Sequence, residues 1–212
     1  MKSIPTVSWS AIRRWAGTFF FLAGLVPSPP RVPAGPQLMA YDFNLGSDPV
    51  SNVDFLHSLG FGGLVTRCNF PADVAKLTLY ANHVPSVSNF QLLAYVNYDF
   101  NNPDSPQVWL DALPILASID APLWVIVKNA PTGTAVHNLL LQMAQTSQAF
   151  GVQTVIYPHW NTDIEDAAEA AAYIAQIGHA NISNSLHSCH EIRSGNQYNL
   201  DAVVTAHVSN SQ

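Results

Sequence analysis

The sequence predicts an α/β fold, a (β/α) TIM-barrel-like arrangement with about six of the eight strand-helix units that close such a barrel. Two observations point there. From Pro36 onward, short apolar runs alternate with longer helical stretches, the mark of a parallel sheet with crossover helices and strands buried on both faces. No glycine-rich phosphate loop follows an early strand, Gly60 to Gly63 not being one, so the alternative of an open doubly wound sheet lacks its usual signature.

Residues 38–43 read as the first strand, and a helix near 51–59 ends at Gly60. The second strand is 62–67. The stretch 71–84 is helical, with Pro71 near the first helical position, where a missing N–H costs nothing. Residues 90–98 form the third strand, Ser105-Pro106 opens a helix to about 119, and 122–128, rich in β-branched and aromatic residues, is the fourth strand. A helix over 135–150 ends at Gly151, and 153–157 is the fifth strand. Thr162 to Glu165 has the T-x-x-E pattern of a capping box and is expected to start the alanine-rich helix that Gly178 closes. Residues 182–186 are the sixth strand, and Asn199 is expected to cap a last helix over 200–207. Six units leave sheet edges with unpaired backbone groups. Either an oligomer covers the open edge or the chain is a truncated product of a longer barrel.

At 212 residues, 48% hydrophobic and 10% charged, the chain can bury the core of one domain. A net charge of −6 with three lysines argues against a phosphate-backbone binder, and so against a nuclease, since such binding needs clustered Lys and Arg. Cys68 and Cys189 form no disulfide framework and are expected as small buried residues. Residues 1–35 are built differently: basic Lys2, Arg13 and Arg14, an uncharged run from Trp15 to Val26, then prolines. That order suits a signal peptide, with Val32 and Ala34 before a cleavage at Gly35, or else a disordered leader. The run is too short for a stable membrane span. Export to the periplasm or medium follows if the signal is used; otherwise the protein is cytoplasmic. The barrel domain is expected over 36–212.

Reacting groups of such barrels lie at the carboxyl ends of strands. The fifth strand ends in Tyr157-Pro158-His159-Trp160 and the sixth in Leu186-His187-Ser188-Cys189-His190-Glu191. Period-two alternation puts Val155, Tyr157 and His159 on one face, so three imidazoles and a phenol converge on the mouth, where nitrogen ligands suit a divalent metal ion. Polar loop residues are the alternative, because H-x-x-H spacing arises readily in a chain with eight histidines. Lys128 and Asn129, ending the fourth strand, could hold sugar hydroxyls or be solvated strand-end residues, and Arg67 and Cys68 on the second strand and Asn97 and Tyr98 on the third have the same standing; Trp160 either stacks on a sugar face or packs on the rim. Glu191 either orients His190 or ligates from the loop, or else pairs with Arg193 at the surface. Asp163 and Glu165 read as favourable charges at a helix N-terminus.

Tyr157-Pro158-His159, the acidic helix start after it, Gly178-His179-Ala180-Asn181 and Leu186-His187-Ser188-Cys189-His190 together resemble the xylose isomerase-like sugar phosphate isomerase/epimerase family. The likeness is sharpest over residues 153–193. In that family the fifth strand ends in a Glu, often within E-x-H, and the sixth carries D-x-x-H. Here Tyr157 stands for that Glu and His187 for that Asp, while His159 and His190 keep the family's types. The resemblance implies a divalent ion (Mn, Co, Zn or Mg) at His187 and His190. It implies a carbohydrate or polyol substrate and an ene-diolate-type proton transfer with Tyr157 or His159 at the position of the base. Tyr157 is a poor base, since a phenol ordinarily titrates near 10. A non-catalytic carbohydrate-binding relative and an inactive truncated fragment are the other readings.

Overall fold

The structure is a computed structural model, and it describes residues 38–43 and 45–210. The leader of residues 1–35 lies outside them. Six parallel strands pair in chain order: β1 (Met39–Tyr41), β2 (Gly63–Arg67), β3 (Gln91–Asp99), β4 (Leu123–Lys128), β5 (Thr154–Ile156) and β6 (Ile182–Asn184). Between them run α1 (Pro49–Ser58), α2 (Pro71–His83), α3 (Ser105–Ala117), α4 (Gly133–Ala149) and α5 (Ala167–Ile177). After β6 come a one-turn helix α6 (Ser188–Glu191), a wide turn over Ile192–Asn196 and α7 (Leu200–Asn210). None of the described helices is long and apolar enough to cross a membrane.

Strand parity separates two cores. Leu64, Leu92, Val96, Leu123, Val125 and Ile156 point outward and pack with the apolar sides of α1 to α5. The opposite parity, Val65, Tyr95, Ile126 and Tyr157, forms a second cluster made of strand-face residues, with Met39, Leu93 and Trp124 against it. All five crossover helices thus cover one face, whereas a doubly wound sheet is covered on both. The other face closes on itself. In a flat sheet β1 and β5 would lie about 19 Å apart, four spacings of about 4.8 Å. Instead the hydroxyls of Tyr41, on β1, and Tyr157, just after β5, are 2.9 Å apart. The sheet is therefore curled as a barrel wall, with β1 and β6 as its edges among the described residues.

Two expectations need correcting. The helix after β5 does not start on Thr162 to Glu165. Its N-cap is Asp166, whose carboxylate accepts from Glu169 N at 2.9 Å, and Glu165 N donates to the Glu169 carboxylate at 2.7 Å. Thr162 is already committed, donating to the His159 carbonyl at 2.6 Å. Asp163 likewise serves the loop, accepting from Ala130 N at 2.8 Å. Cys68 is buried as expected, but Cys189 is exposed.

Gly178 closes α5 with φ 61°, the left-handed conformation that glycine adopts without a Cβ clash. Asn181, at the entry to β6, donates its amide to the carbonyls of Ala144 and Val152 at 3.1 and 2.9 Å, fixing β6 against the end of α4.

Candidate active site at the barrel mouth

Two short segments carry the histidines, and each is tied down. After Tyr157 the chain folds back on itself: His159 N donates to the Ile164 carbonyl at 2.9 Å, and Ile164 is buried in the outer core. After β6, His187 caps α6, so His187 and His190, three apart, lie on the same side of one helical turn. The last residue of that turn, Glu191, is 1% exposed. Its carboxylate accepts from Ala167 N at 2.7 Å and from the Asn196 amide at 2.8 Å, which pins α6 to the start of α5.

The result is a nest of rings. The centroids of His159 and His190 are 3.9 Å apart and those of His187 and His190 4.7 Å. Tyr157 lies beneath, 5.2 Å from His187 and 5.9 Å from His190, and meets Trp124 and Tyr95 edge-on below. The imidazoles and phenol that strand parity brings together in sequence are together in space.

Electrostatics assign their states. Burial, with His159 close by, holds His187 below its ordinary pKa; burial, His159, His187 and Arg193 lower His190 to about 4. Both rings are therefore neutral at pH 7 and have a nitrogen lone pair. His159 Nδ1 lies 2.9 Å from the Trp160 carbonyl, which selects the tautomer with hydrogen on Nδ1 and leaves the lone pair on Nε2. The His190 ring accepts a long 3.4 Å bond from Trp160 N at Nδ1. For Tyr157, burial and then the bond to Tyr41 push the phenol well above its usual range. It stays protonated at neutral pH in the metal-free chain.

Other expected site residues are occupied elsewhere. Glu191 does not pair with Arg193 at the surface; its carboxylate is engaged by the start of α5 and by the Asn196 amide. Trp160, 38% exposed, has the Arg193 guanidinium over one ring face at 4.4 Å. Asn129, in the left-handed region at φ 59°, donates to Asp99 at 2.8 Å and so clamps the ends of β3 and β4. Lys128, half-buried, adds to the hold of the Asn129 amide and Asn101 N–H that keeps the Asp99 carboxyl below its ordinary range. Asn97, near the end of β3, is a strand-end candidate of the same standing as Lys128 and Asn129. It stands level with Ile126 on the inner face, and its Oδ1 is buried without a hydrogen-bond partner. A buried acceptor left so is a place for a ligand hydroxyl or a water.

The curled sheet with its outer helices recurs in solved structures. A probable 3-DHS dehydratase from Bacillus anthracis superposes with a TM-score of 0.61, at 11% identity, over 76% of this chain and 66% of its own. A xylose isomerase domain containing protein from Salmonella typhimurium gives 0.56 at 13% identity, over 73% and 61%. The fold is that of the xylose isomerase-like TIM barrels. A xylose isomerase-like TIM barrel/4-hydroxyphenylpyruvate dioxygenase fusion protein matches at 0.55 and 10% identity, over 71% of this chain and 26% of its own. No family model matches the sequence, and no curated protein matches it. The chain spans 66% and 61% of the length of the first two barrels.

The donor set of the mouth is nitrogen and sulfur. Its ligand-capable groups are imidazoles and the thiol of Cys189, whose Sγ is 3.0 Å from His187 Nδ1. The sequence reading missed Cys189 by taking it as buried. The signal was its place between His187 and His190 in one turn.

Proposed function

We propose that the barrel mouth is a divalent-metal site acting on a carbohydrate or polyol, with chemistry of the sugar isomerase or epimerase type. The observation that carries this reading is the packing of His159, His187 and His190 over the protonated Tyr157 at the carboxyl ends of β5 and β6, the end where barrels of this kind react. His187 and His190 would hold the ion. A divalent cation there would lower the energy of negative charge developing on a sugar oxygen. His159, with Nδ1 held by the Trp160 carbonyl, offers Nε2 to take a proton from a sugar carbon and return it. Tyr157 and the rings under it form an apolar floor that excludes water from beneath. The unpartnered Asn97 Oδ1 would accept a hydrogen bond from a sugar hydroxyl. A non-catalytic carbohydrate binder is the second reading. It is favoured by the engagement of Glu191 within the fold and by a Tyr157 too weakly acidic to replace a carboxylate.

Thermal unfolding of the metal-stripped chain with and without Mn, Co or Zn tests the proposal. Ion at a hundredfold excess over Kd stabilises by about 2.7 kcal/mol, which for a chain of this size raises the midpoint by roughly 5–10 °C. The gain is expected to vanish in His187→Ala/His190→Ala. No shift in the parent would overturn the metal site. A shift without exchange of carbon-bound hydrogen on free sugars in deuterated water would leave the binding reading.

A further inference from the structure

We infer that Cys189 is a third ligand at this mouth and that the centre is thiophilic, taking zinc or cobalt(II) in preference to magnesium. The inference rests on the reading of the mouth as a metal site and names the ion it takes. The ligand atoms of His187, Cys189 and His190 all lie within 4.8 Å of one another. In a tetrahedral site with metal–sulfur near 2.3 Å and metal–nitrogen near 2.0–2.1 Å, neighbouring donors are about 3.5 Å apart. The Cys189 Sγ to His187 Nδ1 separation of 3.0 Å is already on that scale, and the widest pair needs to close by only about an ångström. All three side chains leave a single helical turn that Glu191 anchors from below, so the backbone presenting them is held whether or not an ion is there.

The chemistry of the set decides the ion. Magnesium needs oxygen ligands in near-octahedral array. The nearest carboxylate in sequence, Glu191, is turned into the fold with both oxygens engaged. Two imidazoles and a thiolate match zinc and cobalt(II). His159, its ring 3.9 Å from that of His190, stands beside the set and is left for the substrate side. Binding replaces the Cys189 S–H bond by an S–metal bond, and the proton leaves to solvent.

The test is titration of the metal-free chain with cobalt(II) at about pH 8, above the ordinary imidazole range. The expected result is a thiolate-to-cobalt charge-transfer absorption that saturates at one ion per chain, is removed by zinc, and persists in a large excess of magnesium. Cys189→Ser, an exposed position whose change leaves the core intact, should lose the absorption and release fewer protons on binding. It should also bind at least about tenfold more weakly, as loss of even an outer partner of a ligand does. Cobalt bound equally by parent and variant without that absorption would overturn the role of Cys189 and leave the metal reading standing. Magnesium displacing cobalt would overturn the thiophilic preference. No binding by the parent would overturn both. Should the serine variant fail to fold, the absorption of the parent decides alone.

Discussion

A buried carboxylate must find hydrogen bonds wherever it sits, and Glu191 finds one at the N–H end of α5, where helix N–H groups lack partners within the helix. Removing it leaves the Ala167 N–H buried and unpaired and takes a negative charge from a helix N-terminus. Glu191→Ala is therefore expected to destabilise the chain by about 2–3 kcal/mol. Glu191→Gln, which keeps an acceptor, should cost less, with urea unfolding as the measurement; equal stability of all three would show that the contact does nothing. The same residue marks the limit of what could be read from sequence. His159, His187 and His190 were legible together because strand parity and two short loops leave them one place to go. Cys189 and Glu191 were not, because residues 188–191 turn as a helix. That turn sends His187 and His190 to one side and Glu191 into the fold, which no strand-and-loop reading distinguishes.

At the scale of elements, the six strands and five crossover helices follow from the apolar runs, with Gly60, Gly151 and Gly178 marking three of the helix ends and most other ends displaced by a residue or two. The start of α5 was misplaced for a specific reason. Thr162-x-x-Glu165 and Asp166-x-x-Glu169 are equally good caps by local chemistry, and tertiary demand decides between them: Thr162 secures the loop bearing His159, which leaves Asp166 to cap. The two positions should respond differently. Asp166→Ala removes a side-chain cap and is expected to cost about 1 kcal/mol. Thr162→Val should spare α5 and loosen the His159 loop instead. Amide hydrogen exchange separates these effects, with faster exchange at the first turn of α5 in the first variant and at His159 to Ile164 in the second. The reverse pattern would return the cap to Thr162.

For the whole molecule, alternation of strand and helix predicts a parallel sheet, but the choice between curled and flat is made by what lines its inner face. Tyr41, Tyr95, Trp124 and Tyr157 meet there edge to edge and bring β1 towards β5, a convergence visible only once register is fixed. The rings above them join that interior to pH. In the folded chain His187 lies below the ordinary imidazole value of about 6.5, and His190 falls to about 4. Between those limits the unfolded chain binds more protons than the folded one, so stability rises with pH through the window and levels off above it. As pH drops from 6.5 towards 4 the metal-free chain should therefore lose stability, with His190 the larger contributor. Chemical unfolding of the parent and of His187→Gln/His190→Gln across that range measures the difference. A shallower slope in the double variant places the effect on these rings, and parallel slopes would mean that the acid sensitivity of the fold lies elsewhere.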